Sequence, residues 1–526
     1  MAMRYAGKYP RNRPVPAVES TGVASLLRIP GATSIMLYVA LAAVTYAAWE
    51  QLWFQAARRR TGGKPAVPGP THVIPLVGGL VRMVMDPYGY WENLRQQAMG
   101  GGSGLSYDSL VGKMMVFLTD ADKCREVMAV NDPTRMMMTL HPSAKNILGP
   151  NNLAFMHGPE HKAIRKSFLS LFTRKALGSY VVVQDALVRQ HLAAWLAKDE
   201  GAEREIRDDV RDLNQQTSQQ VFLGPYLDDP AEQATFSRAY SDITLGFLAF
   251  PLCVPGTAVW RARQGRFYVL RVLEKAVSRS VEHTRAGGEP RCLLDYWTQR
   301  CLEESDAADA AGEPRPAHCT PARMADAMLD FLFASQDAST ASLTWCVTLM
   351  ADHPEILARV REEQQRVRKG DWSATVDGDT LAEMSYTRCV VKEVLRYRAP
   401  APMVPQLALC DYPLTPEFTV PKGSLVMPSI NAVAMQGFAD AEAFDPERFA
   451  PERQEDIKHA KHCLTFGHGP HYCVGKEYAI NQLTLFLALL STACDWERRR
   501  TPDSDKWLYL PTIYPADSLV TFKPRA

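Results

Sequence analysis

The segment at residues 466–475, with the sequence FGHGPHYCVG, constrains this chain more than any other. Its cysteine, Cys473, lies between glycines and directly precedes an apolar helical pattern. Gly469 and Gly475 permit backbone conformations that other residues resist, so we expect the loop to fold tightly around the sulfur, with Phe466 excluding water. Nearby amide N–H groups and a helix N-terminus would favour the thiolate, and a thiolate held in this way is a known axial ligand of haem iron.

Two other interpretations of Cys473 remain open. The first is a free cysteine buried at the start of a core helix. The second is a zinc site, because six metal-binding side chains lie within fifteen positions, although their spacing matches neither paired C-x2-C motifs nor C-x2-C followed by H-x3-H. These side chains are His459, His462, Cys463, His468, His471 and Cys473.

Composition limits the class of protein. The chain has 526 residues, of which 46% are hydrophobic, which is ample for a large core. Its net charge of +1 gives no electrostatic reason to expect a nucleic-acid partner. The 11 cysteines are scattered and odd in number, so we expect a reducing compartment for the main body rather than a disulfide framework.

The N-terminal region predicts a membrane anchor. Residues 1–31 form a basic, proline-rich segment, and residues 32–49 are the only long uncharged run. We therefore predict an anchor at residues 32–54, a Pro/Gly-rich linker at residues 55–75 and a catalytic domain at residues 76–526. A helix that lies on the membrane surface is the alternative for the anchor.

The rest of the chain predicts a mainly helical fold with a minor β part. Residues 114–118 (MMVFL) are typical of a strand, and helical patterns dominate from about residue 120. We expect breaks at residues 287–290 (GGEP) and across an acidic, alanine-rich loop at residues 303–316. Proline-rich segments at residues 399–428 and 508–524 predict short strands and coil.

One long helix is expected to cross the catalytic domain. Thr320 is a plausible N-cap with Pro321 at the first helical position, and no further proline occurs before Pro354. A helix of about 30 residues would span about 45 Å. Near its middle, residues 331–340 (FLFASQDAST) place Asp337 among hydroxyl side chains. A buried acid is costly unless it is paired or hydrated, and its functional use would be proton relay; an acid that faces solvent is the alternative.

Three further motifs follow this helix in a fixed order. They are Glu393-x-x-Arg396, residues 446–449 (PERF) and the cysteine segment at residues 466–475. With residues 334–339 before them, they closely resemble the cytochrome P-450 superfamily over nearly the whole chain after the anchor. The resemblance implies a cytochrome P-450 fold that binds haem b.

The resemblance also implies roles for particular residues. Cys473 would be the axial ligand of the haem iron, and Glu393, Arg396 and Arg448 would form a structural charge triad. Asp337 and Ser339 would be catalytic. The remaining cofactor-binding positions are Phe466, Gly469, His471, Gly475, His161 and Arg165.

This chain departs from the family pattern at three positions. His471 stands where arginine is usual, and His161 stands where tryptophan is usual. Histidine can still donate to a haem propionate, but its charge depends on pH. Ala338 stands where threonine is usual and cannot relay a proton, so Ser339 or ordered water would have to do so.

Several sequence segments resemble one branch of that superfamily, the sterol C-22 desaturases. The matching segments are residues 171–177 (LFTRKAL), 331–339, 395–405 and 466–473. This resemblance implies insertion of a C-22(23) double bond into a sterol side chain, with O2 and NADPH as co-substrates. It also implies NADPH-cytochrome P-450 reductase as a partner and an endoplasmic reticulum membrane location with the catalytic domain facing the cytosol.

Six apolar residues are candidates for substrate contacts, although ordinary core positions are the alternative for each. They are Phe247, Phe331, Ala334, Met403, Val404 and Ile513. Lys458, Lys461 and Lys476 flank the cysteine segment and are candidates for a reductase surface or a solvated face. Three other functions remain open: a sterol or lipid hydroxylase or demethylase, a haem-thiolate isomerase or dehydratase without a reductase, and a haem- or zinc-binding protein without turnover.

Overall fold

The computed structural model describes residues 32–60, 66–140, 143–198, 201–247, 249–509 and 512–525. The predicted basic segment at residues 1–31, residues 61–65 of the predicted linker and Leu248 lie outside these ranges. The chain divides into two units, Met1–Gln55 and Ala56–Ala526. The described residues are mainly helical with a minor β part, as predicted.

The helices of the described residues are numbered in chain order. They are α1 (Ala32–Ala57), α2 (Leu80–Met85), α3 (Pro87–Gly100), α4 (Ala121–Ala129), α5 (Ala144–Leu148), α6 (Gly158–Ser167), α7 (Arg174–Lys198), α8 (Ile206–Leu223), α9 (Pro230–Gly246), α10 (Ala258–Arg285), α11 (Leu293–Ala311), α12 (Pro321–Asp352), α13 (Pro354–Arg368), α14 (Gly378–Ala382), α15 (Ser385–Tyr397), α16 (Ile430–Ala434), α17 (Glu455–Lys458) and α18 (Lys476–Ala493).

The strands of the described residues are short and belong to four small sheets. They are β1 (Leu105–Leu110), β2 (Lys113–Leu118), β3 (Met136–Met138), β4 (Arg204–Glu205), β5 (Gln406–Ala408), β6 (Tyr412–Pro413), β7 (Thr419–Val420), β8 (Leu425–Pro428), β9 (Cys494–Arg498), β10 (Trp507–Tyr509), β11 (Ile513–Pro515) and β12 (Leu519–Pro524). The largest sheet has the order β1-β2-β8-β5-β3, in which only β2 and β8 are parallel. The other sheets are β4-β12-β9, β10-β11 and β6-β7.

Helix α1 has the properties of a membrane-spanning segment. Its stretch Ser34–Ala57 has 24 residues and contains an 18-residue window with a mean hydropathy of 1.3, so it is long and apolar enough to cross a bilayer. The helix continues to Ala57, past the predicted end of the anchor at residue 54, so the first residues of the predicted linker are helical.

Helix α12 carries the core of the second unit. It has 32 residues, which corresponds to about 48 Å, in agreement with the predicted long helix. Its N-terminal half joins a first core cluster that includes Phe236, Tyr240, Trp297, Met328 and Leu332. Its C-terminal half joins a second core cluster that includes Leu343, Trp345, Val390, Phe486 and Leu489.

One local prediction near α12 is wrong. The acidic segment predicted as a loop from residue 303 is helical as far as Ala311, because alanine and glutamate favour helices and Arg300 pairs with Glu304 one turn later at 2.8 Å. Thr320 is the N-cap residue of α12 and Pro321 is its first helical residue, as predicted, although the Thr320 side chain makes no capping hydrogen bond. Its hydroxyl donates instead to the Ala317 carbonyl. The predicted strand at residues 114–118 and the break at residues 287–290 are confirmed.

The end of α12 is attached to the C-terminal strands by a buried arginine. The Arg498 side chain is 2% exposed and contacts Asp352 of α12 at 2.7 Å and Asp517 at 3.1 Å. Arg500 pairs with the same Asp352 at 3.0 Å, but its side chain is 50% exposed.

We expect Arg498→Met to destabilise the protein by about 3–5 kcal/mol, because it leaves two largely buried carboxylates without their shared partner. Arg500→Met is the matched control, and its loss is expected to stay within about 1 kcal/mol because that pair is solvated. Thermal unfolding of both variants followed by circular dichroism measures the difference. Equal effects would contradict this account of the buried pair.

Candidate active site

The cysteine segment lies where the two core clusters meet. Phe466 packs against the second cluster and Val474 packs against the first. The Cys473 N–H donates to the Phe466 carbonyl at 2.9 Å, which closes the loop. Cys473 follows this turn and precedes α18. Both cores therefore determine where the sulfur lies.

The two glycines of this loop differ in their structural demands. Gly469 has a φ of 73°, and a Cβ added there would lie 2.7 Å from the Met128 carbonyl oxygen and the Ala129 Cα of α4. Gly475 has an ordinary φ of −86°, and a Cβ there would meet nothing within 4 Å. The expectation that Gly475 supplies an unusual backbone conformation is therefore wrong, because its φ is accessible to any residue. The prediction holds for Gly469.

Opposing effects act on the Cys473 thiol. Cys473 keeps exposed surface, yet enough protein surrounds its sulfur that burial raises the pKa of the thiol. The Gly475 N–H and the positive charges of Arg165 and Lys476 act in the opposite direction. These groups are the electrostatic support expected for a thiolate, and metal binding itself displaces the thiol proton.

A group of histidines lies beside the sulfur. The rings of His161 and His471 are 4.4 Å apart, and the ring of His157 is 5.2 Å from that of His471. Burial is the main cause that lowers the pKa of His161 to about 4 and that of His471 to about 3. Arg165 donates to the Tyr472 carbonyl next to the cysteine.

These histidines present unused polar atoms. The Nε2 atoms of His161 and His471, and both ring nitrogens of His157, are buried without a hydrogen-bond partner among the described residues. Buried donors of this kind are costly unless a group satisfies them. Together with Arg165 they suit an anionic group beside Cys473, so the donor set fits the propionates of a haem.

The predicted charge triad is also brought together. Glu393 accepts from Arg396 Nε and Nη2, both at 2.7 Å, and lies 3.5 Å from Arg448 Nε. Both arginines also donate to backbone carbonyls, including those of Ala441 and Asp440. All three side chains are almost fully buried, so the segment before the cysteine loop is fixed by charged hydrogen bonds.

Asp337 lies in the middle of α12 and is paired. Its Oδ1 accepts from Arg211 Nη1 of α8 at 3.0 Å and from the Tyr514 hydroxyl at 3.5 Å. The Asp337 carbonyl also accepts from the hydroxyls of Thr512 and Tyr514. Burial raises the pKa of this carboxyl, which Arg211 partly opposes. Asp337 therefore has the partner that a buried acid requires.

Ser339 and Asp337 do not share a helix face. Each residue advances about 100° around an α-helix, so these side chains lie about 200° apart. Ala334 and Ala338, which are one turn apart, lie closer to Asp337 around the helix than Ser339 does. Ala334 is exposed and Ala338 is half-buried, although most of α12 around them is buried.

The candidate substrate residues fall into different environments. Phe247 and Phe331 are both buried in the first core cluster. Phe247 contacts Phe333 with ring centroids 4.8 Å apart, and Phe331 lies 4.7 Å from Phe168. Both stay predicted substrate contacts, and Phe333 is a further candidate because it contacts Phe247.

The other three candidates lie on the C-terminal strands and turns. Met403 is buried in an apolar group with Trp91 and Phe117. Val404 is half-buried and donates its N–H to the Pro428 carbonyl. Ile513 is fully buried in β11 and accepts from Trp345 Nε1.

Two residues of this region were not predicted from the sequence. Arg211 could not be found from a local pattern, since it lies 126 positions from Asp337. His157 is the N-cap of α6, four positions before His161, so the His-x-x-x-His spacing was the available sequence signal. The zinc alternative at the cysteine segment is not supported: among the described residues, metal-binding atoms gather elsewhere, at Glu304, His318 and Cys319.

The comparisons with known proteins define the class. The cytochrome P450 family matches residues 68–515, so the chain belongs to the cytochrome P450 family of haem-dependent oxidoreductases. The solved structure of a retinoic acid bound cyanobacterial CYP120A1 superposes with a TM-score of 0.71 at 24% identity, covering 88% of this chain and 100% of that one. The fold is therefore the cytochrome P450 fold.

Particular relatives narrow the comparison. Cytochrome P450 710A4 of Arabidopsis thaliana is 38% identical over 492 residues, 93% of this chain and 96% of the relative. C-22 sterol desaturase erg5 of Aspergillus fumigatus is 33% identical over 469 residues, 86% of this chain and 88% of the relative. The C-22 sterol desaturase ERG5 of Saccharomyces cerevisiae is 28% identical and covers 96% of this chain and 94% of the relative.

The two loop glycines give a paired test of the site. Gly469→Ala is expected to cost about 1–3 kcal/mol from the forced contact with α4, in addition to the strain of a positive φ. Gly475→Ala is the matched control and is expected to change stability by less than about 0.5 kcal/mol. Haem content per chain and the thermal unfolding midpoint are the measurements. A larger loss of haem or of thermal stability in Gly475→Ala than in Gly469→Ala would contradict the proposed contact between Gly469 and α4.

Proposed function

We propose that this protein is a sterol C-22 desaturase that introduces the C-22(23) double bond into a sterol side chain. The observation that carries the proposal is 33% identity, over most of both chains, to a relative named C-22 sterol desaturase. The site supports the proposal as well, because α12 carries two small residues, Ala334 and Ala338, close to the paired acid Asp337. An apolar pair, Phe247 and Phe333, lies near the same helix and suits a lipophilic substrate.

The haem would be held by the cysteine loop and by α6. Cys473 would supply a thiolate ligand to the iron. His471 of the loop and His161 and Arg165 of α6 would face the propionates. When bound, the haem supplies the O2-dependent oxidation of an unactivated C–H bond. Burial lowers the pKa of both His161 and His471, which favours their neutral forms, and in that form each would contribute an N–H donor.

Asp337 is proposed to hold and transfer a proton. Its described side-chain contacts, from Arg211 and Tyr514, both end on Oδ1, so we place the exchangeable proton on Oδ2. Burial raises the pKa of this carboxyl, and the ion pair with Arg211 partly opposes that rise. Ser339 lies on a different face of α12, so its proposed part in proton delivery requires an ordered water rather than direct contact with Asp337.

Electron supply and location complete the proposal. We propose that NADPH supplies the electrons through NADPH-cytochrome P-450 reductase. We also propose that α1 anchors the protein in the endoplasmic reticulum membrane, with the catalytic domain facing the cytosol. Of the lysines proposed for the reductase surface, Lys458 is exposed and Lys461 pairs with Asp122 at 3.3 Å. Lys476 lies 5.8 Å above the Phe466 ring and is the least accessible of the three.

The reaction is tested directly with the full-length protein, reductase, NADPH, O2 and a panel of C-22-saturated sterols. We expect a product lighter than the substrate by two hydrogens, formed only when both O2 and NADPH are present. A product heavier by one oxygen would identify a hydroxylase of the same fold. Turnover without O2 and NADPH would identify an isomerase or dehydratase. Cys473→Ala should lose both turnover and the thiolate-type Soret shift of the reduced carbon monoxide complex.

Asp337→Asn tests the proton role. We expect turnover to fall by about 100-fold or more, because an amide cannot donate the proton that a carboxylic acid can. The reduced carbon monoxide spectrum should stay unchanged, which separates proton transfer from haem binding. Asp330→Asn is the matched control, since Asp330 is an acid two turns earlier on α12 that bonds to the Leu153 N–H. An equal loss in the two variants would overturn the assignment.

A further inference from the structure

A second group of metal-binding side chains lies apart from the cysteine loop, between α11 and the start of α12. Cys301 and Glu304 lie one turn apart on α11. His318 and Cys319 lie on the short helical turn Ala317–Cys319 that directly precedes α12. Within the described ranges, the side chains of Glu304, His318 and Cys319 bring their ligand atoms within 4.8 Å of one another.

The distances inside this group are short. His318 Nε2 lies 2.7 Å from Glu304 Oε2, and Cys319 Sγ lies 3.8 Å from the same oxygen. Around a tetrahedral zinc ion with Zn–N near 2.0 Å and Zn–S near 2.3 Å, ligand atoms lie roughly 3.3 to 3.8 Å apart. To bind a metal ion, these three side chains would therefore have to move by about an ångström or less.

Cys301, one helical turn before Glu304 on α11, is a candidate fourth ligand. Its sulfur is not among the ligand atoms that lie within 4.8 Å of one another, so its side chain would have to turn toward the ion when zinc binds. Cys301 and His318 are each 3% exposed, and Cys319 and Glu304 are half-buried, so the group is largely shielded from water. The second oxygen of Glu304 is held by Arg300 Nε at 2.8 Å, which orients the carboxylate.

We propose that Cys301, Glu304, His318 and Cys319 form a structural zinc site. Two sulfurs, one imidazole and one carboxylate complete the four-coordinate sphere that structural zinc prefers. Binding would replace the thiol protons of both cysteines and any proton on His318, and no electron transfer takes place. The ion would fix the end of α11 to the start of α12, the helix that carries Asp337.

The composition of this group distinguishes a zinc site from a simple hydrogen-bonded cluster. An ion pair between His318 and Glu304 needs neither cysteine, whereas zinc prefers the thiolates. It is also independent of the haem, since the four ligands lie on α11 and the turn before α12 rather than on the cysteine loop.

Metal content of the full-length holoprotein tests the site. Protein produced in zinc-supplemented medium and dialysed against a weak chelator is analysed for zinc and iron together by mass spectrometry. We expect about one zinc per chain beside the haem iron. Cys319→Ser is expected to lose the zinc and keep the iron. Zinc below about a tenth per chain in the native sequence, or zinc retained by Cys319→Ser, would overturn the proposal.

A conservative pair of variants keeps the test valid if Cys319→Ser fails to fold. Glu304→Gln keeps the shape and the hydrogen bond to His318 but removes the charged ligand, and should weaken zinc binding by about tenfold or more. Glu303→Gln is the matched control, because Glu303 is the exposed neighbour that also contacts Arg300. Equal zinc affinity of both variants would contradict the site, as would an intact mass two hydrogens lower with Cys301 and Cys319 both blocked to alkylation, which identifies a disulfide.

Discussion

The buried carboxylate of Asp337 is the constraint on which the catalytic unit depends. Helix α12 runs through both core clusters, and its middle carries an acid that must be paired before the helix can be buried. Arg211 pairs with it from α8, while Thr512 and Tyr514 donate to its carbonyl from the C-terminal segment. The ion pair joins α8 to α12, and the two hydroxyl bonds join the C-terminal segment to the same turn of α12. Three distant parts of the chain are therefore held together at Asp337.

The same midpoint is reinforced by a layer of neutral polar groups. Asn214 of α8 donates to the Gln336 carbonyl at 2.8 Å and accepts from Gln482 of α18 at 2.9 Å. Ser218 and Ser335 meet at 3.0 Å on the neighbouring turn. Polar bonds of this kind have fixed partners and directions, whereas apolar contacts tolerate sliding. Helices α8 and α18 therefore fit α12 in one register, and α18 begins at the cysteine loop.

Sequence patterns identified the parts of the fold whose signals are local. The long proline-free run predicted α12, and the glycines around Cys473 predicted a tight loop, for which Gly469 is required. What the sequence could not identify were partners from distant elements, such as Arg211, and side-chain directions on one helix. Phe331 and Phe333 look equivalent in the sequence, but only Phe333 stacks on Phe247, because two positions along a helix change the face by about 200°.

The histidines show how this site compensates for residues that the family usually has. Where arginine is usual, His471 is held neutral by burial and stacks on His161 at 4.4 Å. Two neutral rings add hydrogen-bond donors to the proposed haem site but no positive charge. The permanent charge is supplied by Arg165, which is fixed to the backbone beside Cys473 through the Tyr472 carbonyl. In the proposed haem site Arg165 would balance the propionate charge, and it shares the electrostatic support of the Cys473 thiolate with Lys476 and the Gly475 N–H. The two properties are therefore coupled through Arg165.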